Sequence, residues 1–193
     1  MALLNALRRF NWVDIFFLII FIRVAYVALK NGFPAELFKL LGTLFAIYLS
    51  LHYYVDLSDY LTGQVKINFL PEYLALFSFA ALALFGYFSF AFLGRLLSRF
   101  MQMEAAPKLN KWGGLILGLA RSFLLASLII FSFVVIPLGY FKHSVRDSYY
   151  GKRLLAIAPG AYTWLWQSVV SKFRGSEKFN DSVTKIQKDL AKK

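Results

Sequence analysis

Long apolar stretches, separated by short polar segments, occupy most of the first 140 residues. The stretch from Tyr73 to Gly94 has 22 residues and no charge, and the stretch from Gly113 to Tyr140 contains one charged residue, Arg121. A helix that crosses a bilayer needs about 20 mostly apolar residues. The pattern therefore predicts an all-α integral membrane protein with four transmembrane helices in a bundle, at approximately residues 12–30, 35–54, 72–97 and 112–139.

The first two predicted helices have the weaker apolar signal. The first contains Asp14 and Arg23, and the second reaches spanning length only if it begins near Ala35. Arg8 and Arg9 precede the first stretch in the way that basic residues begin a cleaved signal peptide. Signal peptides avoid charges within or beside their apolar region, so the pattern favours a retained membrane helix over a cleaved leader.

The polar segment between the first two apolar stretches contains residues that are typical of a tight turn. Asn31 and Gly32 tolerate a positive φ, and Pro34 followed by Glu36 is typical of the first turn of a helix. We predict a hairpin at one membrane face, with Gly32, Pro34 and Glu36 in the turn. Basic residues reach the same face and favour charge pairing with Glu36; they are Arg23, Lys30 and Lys39.

The chain changes character after the fourth apolar stretch, which divides it into a membrane domain at residues 1–141 and a tail at residues 142–193. The tail has eleven Lys and Arg against four Asp and Glu, a surplus of 7 in a chain of net charge +12. A basic segment after an apolar body is typical of binding to anionic lipid head groups. Nucleic acid is the other usual partner of basic segments, but the Trp and Tyr residues at helical spacing argue against it.

The tail is predicted to be helical but not to cross the membrane. A first short helix at residues 146–157 is expected to stop at Pro159 and Gly160. Beyond it, apolar residues recur at helical spacing with lysines mostly on other faces, which indicates amphipathic helices. We expect these helices to lie in the membrane interface, with Trp164 and Trp166 as anchors. Packing of the helices on each other or on a soluble partner is the alternative.

Composition agrees with the membrane assignment and excludes several kinds of chemistry. Apolar residues make up 59% of the chain and charged residues 17%, and 36 residues are aromatic, too many for a small water-soluble core. The absence of cysteine excludes disulfides, thiolate metal sites and a cysteine nucleophile. The chain also lacks a histidine metal motif, a Gly-x-Ser-x-Gly elbow, a P-loop and a dinucleotide fingerprint. We therefore predict no enzyme activity, no metal and no cofactor.

Three charged residues within the apolar stretches are candidates for function. Asp14 and Arg23 are nine residues apart, which places them on opposite sides of a helix and about 13 Å apart along its axis, so they cannot pair with each other. Arg23 either extends to the head groups, pairs with a carboxylate on another helix or lines a hydrated cavity. For Arg121, a structural hydrogen bond to loop carbonyls is the alternative to a functional role.

Small residues recur every four positions in the fourth predicted helix and form a stripe of Gly114, Gly118, Ser122 and Ala126. Such a stripe lets another helix approach closely, because helix association in lipid depends on packing. Arg121 projects from nearly the same side as the stripe. The packing partner is expected either within the chain or in a second copy.

Three short motifs follow one another along the first part of the chain. Asn-Trp-Val-Asp occupies residues 11–14, Gly-x-x-x-Glu occupies residues 32–36, and a basic loop leads into Trp-Gly-Gly-Leu-Ile-Leu-Gly-Leu-Ala-Arg at residues 112–121. In this order the motifs resemble the colicin V production protein family, which consists of small bacterial inner-membrane proteins with four predicted spans. The resemblance covers residues 11 to about 140. The chain departs from the family at residues 30–31, where Lys-Asn stands in place of the usual arginine before the glycine.

The resemblance implies a role in toxin production and export but supplies no catalytic residues. We expect a non-enzymatic accessory factor in toxin production, export or envelope homeostasis. A small oligomeric channel or transporter that uses Asp14, Arg23 and Arg121 as cavity charges is the alternative, although four helices are few for a pathway within one chain.

The expected location is the bacterial inner membrane, crossed several times. Expected partners are the lipid bilayer, with a preference for anionic lipids, and a second copy or other membrane proteins. Because the two predicted hairpin loops are compact and basic, the sequence favours placing them in the cytoplasm and both termini outside.

Overall fold

The structure, a computed structural model, describes residues 11–64, 71–98, 107–173 and 177–191. Three long helices come first: α1 (Trp12–Gln64), α2 (Pro71–Ser98) and α3 (Pro107–Val135). By length and composition, α1, residues Tyr73–Leu97 of α2, and α3 are each able to cross a membrane. The described part of the chain contains no strand.

The tail consists of short helices that follow one another closely. These are α4 (Gly139–Asp147), α5 (Gly151–Leu155), α6 (Ile157–Leu165), a π-helical turn (Trp166–Val170), α7 (Ser171–Phe173) and α8 (Asp181–Ala191).

Helix α1 is bent at Gly32, where φ is 74° and ψ is 173°. A positive φ is costly for residues with a Cβ atom, so glycine suits this position. The bend divides α1 into an N-terminal arm, residues 12–31, and a C-terminal arm, residues 33–64. The two arms run antiparallel, because Asp14 near the start of the first and Leu51 in the second both bind the tail.

Helix α2 runs antiparallel to the C-terminal arm of α1 at close range. Gly94 lies against Phe38, and Gly86 lies against the backbone of Ala46, so positions later in one helix meet positions earlier in the other. A Cβ atom at Gly86 would lie 2.8 Å from Ala46 Cα, which is too close for a side chain. Glycine therefore permits this backbone contact, as small residues do between membrane helices.

Helix α3 is the most enclosed of the three long helices. Half of its most apolar window is buried, against 17% for the windows of α1 and α2. Phe131 of α3 stacks on Phe79 of α2, which in turn makes an edge contact with Tyr54 of α1. The other face of α2 is exposed and apolar, with Phe77, Phe85, Phe88 and Phe92 among its residues. A helix with such a face suits contact with lipid.

The tail packs against the end of the bundle where α3 finishes. Val145, Leu154 and Tyr162 are buried there and are continuous with the core of the long helices. The sequence-based prediction that Pro159 and Gly160 end a helix is wrong, since α6 runs through both residues. Pro159 is the third residue of α6, where a backbone N–H has no partner within the helix, so proline costs no hydrogen bond.

The long helices differ from the predicted spans at their ends. The second predicted span ended at residue 54, whereas the C-terminal arm continues to Gln64. The fourth span was predicted at residues 112–139, whereas α3 is Pro107–Val135 and a new helix begins at Gly139. Apolar length alone does not show the polar turns that extend a helix.

Candidate functional site

The bend at Gly32 is held against α3 by glycine and asparagine. Gly114 packs on the backbone of Gly32, and a Cβ atom there would lie 2.8 Å from the Gly32 carbonyl carbon. Asn110 Oδ1 accepts a hydrogen bond of 2.7 Å from the backbone N–H of Phe33. Gly118, one turn further along α3, touches Ala28, and a Cβ atom at Gly118 would overlap the Cβ of Ala28. The first half of the small-residue stripe therefore packs within the chain.

A buried ion pair lies directly behind this contact. Arg121 Nη2 is 2.9 Å from Glu36 Oε2, and the side chains are 5% and 0% exposed, respectively. Side chains of a helix lean toward its N-terminus, so the guanidinium of Arg121 extends back along α3 toward the bend. Glu36 lies in the turn that follows the bend. The sequence placed both residues among its candidates but did not predict this pairing.

Further polar groups surround both partners. Glu36 Oε1 accepts hydrogen bonds from Asn31 Nδ2 at 2.7 Å and from Lys39 Nζ at 3.0 Å. Arg121 Nη1 donates to the hydroxyl of Tyr87 on α2 at 3.1 Å. The Glu36 carboxylate therefore meets two cations, and the cluster of Glu36, Lys39 and Arg121 has a formal charge of +1. We call these residues, with Asn31 and Tyr87, the hairpin charge cluster.

The ion pair of the hairpin charge cluster is incompletely hydrogen-bonded. Although Arg121 Nη2 and Glu36 Oε2 are 2.9 Å apart, Oε2 accepts no hydrogen bond within the described structure. Arg121 Nε is likewise buried without a hydrogen bond within the described structure. A buried pair of this kind stabilises a fold little by itself, whereas removal of one partner costs about 3–5 kcal/mol because it leaves an uncompensated charge. Its structural effect is to fix which residues meet.

Asp14 occupies a different site, at the junction of α1 and the tail. Its carboxylate is 1% exposed and accepts four hydrogen bonds. The donors are the backbone N–H of Asn11, the Ser148 hydroxyl and the backbone N–H groups of Tyr149 and Tyr150, at 2.9–3.2 Å. The bond from Asn11, with the return bond of 2.9 Å from Val13 N–H to Asn11 Oδ1, caps the start of α1. Asp14 therefore connects the first helix to the tail without a cationic partner among the described residues.

Arg23 lies apart from both sites. It is exposed on the N-terminal arm, and no described carboxylate forms an ion pair with it. Among the described residues, the structure brings Arg121 together with Glu36 and leaves Asp14, Arg23 and Arg121 separate from one another. Extension of Arg23 toward the head groups remains a prediction.

The tail contacts the C-terminal arm through a polar and aromatic cluster. His52 Nδ1 and the Tyr162 hydroxyl are 2.8 Å apart, and Tyr162 accepts a hydrogen bond of 3.1 Å from the backbone N–H of Asn180. His52 Nε2 is 3.6 Å from Glu177 Oε2, which also accepts a bond from Tyr48. Burial raises the pKa of Tyr162 to about 12, so its hydroxyl stays protonated at neutral pH. This tail clasp is defined by His52, Tyr162, Glu177 and Asn180.

The two predicted anchor tryptophans differ in environment. Trp164 is 59% exposed, whereas Trp166 is partly buried and stacks on His52 with ring centroids 5.2 Å apart. The tail clasp could not be predicted, because His52 and Glu177 are 125 positions apart and neither belongs to a motif. Asn31 was predicted as a turn residue but not as a donor to Glu36, and neither Tyr87 nor Asn110 was predicted as a site residue. The two asparagines lie beside glycine-containing turns or stripes, and this position is the one signal that points to them.

The fold and the site together define a helical membrane-type protein whose bend is fixed to α3 by a buried ion pair. The family model described as colicin V production protein matches residues 13–172. The chain therefore belongs to the colicin V production protein family, as its motifs indicated. No curated protein and no solved structure gave a significant match. The match extends through most of the tail, so the family assignment includes the segment that carries Tyr162 as well as the long helices.

Proposed function

We propose that the protein is a multi-pass protein of the bacterial inner membrane that acts as a non-enzymatic accessory factor in toxin production, export or envelope homeostasis. In this proposal each arm of α1, with α2 and α3, crosses the bilayer. The observation that carries the proposal is the hairpin charge cluster. Its charges pair with groups of the same chain, as expected for a scaffold that presents a fixed surface to partners.

Family membership also supports an accessory role, because the family is named for a requirement in colicin V production. The carboxylate of Asp14, which accepts its hydrogen bonds from groups of the same chain, also supports an accessory role. A pathway for ions needs charges that exchange their partners, whereas both Asp14 and Glu36 are buried and bound to donors of the same chain.

A small oligomeric channel or transporter is the second candidate. One observation favours it: Arg121 Nε and Glu36 Oε2 are buried without a hydrogen bond within the described structure. Such groups could bind water or an ion if the bundle opened. The described residues of one chain provide four long helical segments, namely the two arms of α1, α2 and α3. A conducting path would therefore require several copies.

Ion flux in liposomes separates the two candidates. The purified protein is reconstituted, and flux is compared for wild type and for variants that neutralise Asp14, Arg23 and Arg121, with protein-free liposomes as the background. The accessory role predicts background flux for every protein. Flux above background that is lost on Arg121→Gln, with assembly unchanged, contradicts the accessory role and supports the channel.

Interaction with partners is the matching test in cells. Growth or toxin-export defects of a deletion strain are compared after complementation by wild type and by Phe85→Ala, a change on the exposed face of α2. An accessory role that uses this face predicts normal protein levels and reduced complementation. Full complementation by exposed-face variants of every described helix would contradict a scaffold function.

A further inference from the structure

A groove of about 500 Å³ lies on the side of the bundle, at the end that carries the tail. The N-terminal arm of α1 lines the groove with Phe17, Leu18 and Phe21, and Phe123 of α3 packs directly on Phe17 and Phe21, with ring centroids 5.8 and 5.5 Å apart. Helices α5 and α6 close the groove at the tail end, where Tyr150 and Arg153 lie. The volume is within the range of about 300–1,000 Å³ that is typical of ligand sites.

The chemistry of the groove changes along its length. The residues furthest from the tail are aromatic or aliphatic, and Leu18 is 48% and Phe123 39% exposed. From Asp14 to Phe21 the arm advances about 10 Å at 1.5 Å per residue, so the apolar part reaches well into the predicted membrane. At the tail end, the Arg153 guanidinium is exposed and lies 5.9 Å from the ring centroid of Tyr149. No described carboxylate forms an ion pair with Arg153.

Asp14 also touches the groove, at the same end. Its carboxylate is 1% exposed and its two oxygens accept four hydrogen bonds from Asn11, Ser148, Tyr149 and Tyr150. The charge of Asp14 is therefore directed at the tail backbone, and Arg153 is the exposed charge that an occupant of the groove meets.

We propose that this groove binds one anionic phospholipid, with an acyl chain against Phe17, Leu18 and Phe21 and the phosphate at Arg153. The proposal rests on the proposed membrane location, which would place the apolar part of the groove among lipid tails and Arg153 at head-group level. Charge complementarity selects the occupant, because Arg153 offers a guanidinium that is suited to phosphate oxygens. An apolar peptide segment would fill the groove but leave Arg153 unused.

Native mass spectrometry of the full chain from detergent tests the proposal. The probes are phosphatidylglycerol and phosphatidylcholine with identical acyl chains. Wild type should retain phosphatidylglycerol about five-fold better, the ratio expected for one cation near an anionic head group. Arg153→Gln should remove this preference, whereas Lys142→Gln, an equal charge change at an exposed tail position outside the groove, should keep it. Equal behaviour of the two variants would overturn the proposal.

A second pair of variants tests the acyl-chain position. Leu18→Trp fills the groove and should reduce retention of both lipids several-fold, whereas Ile19→Trp, on the next and more exposed position of the same helix, should not. A phosphatidylglycerol with a photoreactive group at the end of its acyl chain should label near Phe21 and Phe123. Equal labelling of all exposed helix faces would overturn the proposal. This experiment uses the wild-type chain, so it does not depend on whether a variant folds.

Extraction with alkaline carbonate separates this proposal from the proposed function. A protein that is released from membranes fails the proposed membrane role, and the lipid site fails with it. A protein that stays in the membrane but does not discriminate between the two lipids fails the lipid site alone.

Discussion

At the residue scale, single polar side chains determine how the apolar helices meet. Apolar surfaces in lipid have little preference for one another, so close backbone contacts and buried hydrogen bonds select the pairing. Glu36 and Arg121 connect the bend of α1 to α3, and Asp14 connects the start of α1 to the tail. Each of these residues has a defined set of donors or acceptors, and each is therefore sensitive to a change that alters them.

Gly118→Ala tests the close contact between Gly118 and Ala28, beside the Glu36–Arg121 ion pair. The added Cβ would overlap Ala28 Cβ and lie 3.5 Å from Glu36 Oε2, so α1 and α3 must separate. We expect a loss of about 1–3 kcal/mol in the free energy of unfolding, measured in detergent. Gly63→Ala is the matched control, since a Cβ there meets nothing within 4 Å. A loss of equal size at both positions would contradict the packing role of Gly118.

Asp14→Asn tests the connection between the first helix and the tail. Each carboxylate oxygen accepts two hydrogen bonds, at least one of them from a backbone N–H, so an amide nitrogen in either place leaves a backbone donor unsatisfied. The expected cost is about 1–3 kcal/mol, with faster hydrogen exchange at the amides of Tyr149 and Tyr150. Asp147→Asn makes the same charge change at an exposed position and should leave that exchange unchanged.

At the element scale, the sequence predicted the long helices better than the contacts between them. Apolar length located α2 and α3, and the turn chemistry at residues 31–36 located the bend, because both depend on neighbouring residues. The spacing rule also identified the small-residue stripe, whose first half packs on Gly32 and Ala28.

Lys39 was among the expected partners of Glu36, but the partners that lie on other helices could not be predicted in the same way. Arg121 and Glu36 are 85 positions apart, and periodicity within one helix carries no information about which helix lies opposite. The helices of the tail were even less predictable from the sequence. Its helices are short, and Pro159, read as a helix stop, lies in the first turn of α6, where proline is tolerated.

The attachment of the tail should depend on pH through Tyr162. The raised pKa of about 12 means that the docked tail favours the protonated hydroxyl, whose ordinary pKa is 10.0. The stabilisation is therefore complete below pH 10 and is lost as the pH rises toward 12. We expect the difference in tail protection between wild type and Tyr162→Phe, measured by hydrogen exchange of α8, to shrink over that interval. A constant difference from pH 9 to about pH 12 would contradict this assignment.

At the scale of the whole molecule, the two arms of α1, α2 and α3 alternate in direction. The tail packs at the end of the bundle where α1 begins. The docked tail brings eight described Lys and Arg residues to this end: Lys142, Arg146, Lys152, Arg153, Lys172, Lys178, Lys185 and Lys188. The hairpin end has five: Lys30, Lys39, Arg95, Lys108 and Lys111. The compact, basic hairpin loops favour the cytoplasm, and the positive-inside rule keeps that expectation, because it counts charges within about 20 residues of a span, where the tail has Lys142, Arg146, Lys152 and Arg153.

Single cysteines test this arrangement, because the chain has none of its own. Lys30→Cys and Lys111→Cys lie at the hairpin end, and Lys142→Cys and Lys178→Cys lie at the tail end, all at exposed positions. A membrane-impermeant maleimide should label the second pair from the periplasmic side and the first pair only after cell disruption. Labelling of one hairpin-end and one tail-end cysteine from the same side would contradict the alternating directions of the four long helical segments.

The central claim is that Glu36 and Arg121 form one coupled, buried pair that fixes the bend of α1 to α3. A double-mutant cycle measures this coupling through the free energy of unfolding of wild type, Glu36→Gln, Arg121→Met and the double variant in detergent. Glu36→Gln should cost about 3–5 kcal/mol, because it leaves Arg121 uncompensated, whereas Arg121→Met should cost less, because Lys39 still pairs with Glu36. The double variant should cost clearly less than the sum of the two. Costs that add to within about 0.5 kcal/mol would show that the residues do not interact, and would contradict the account.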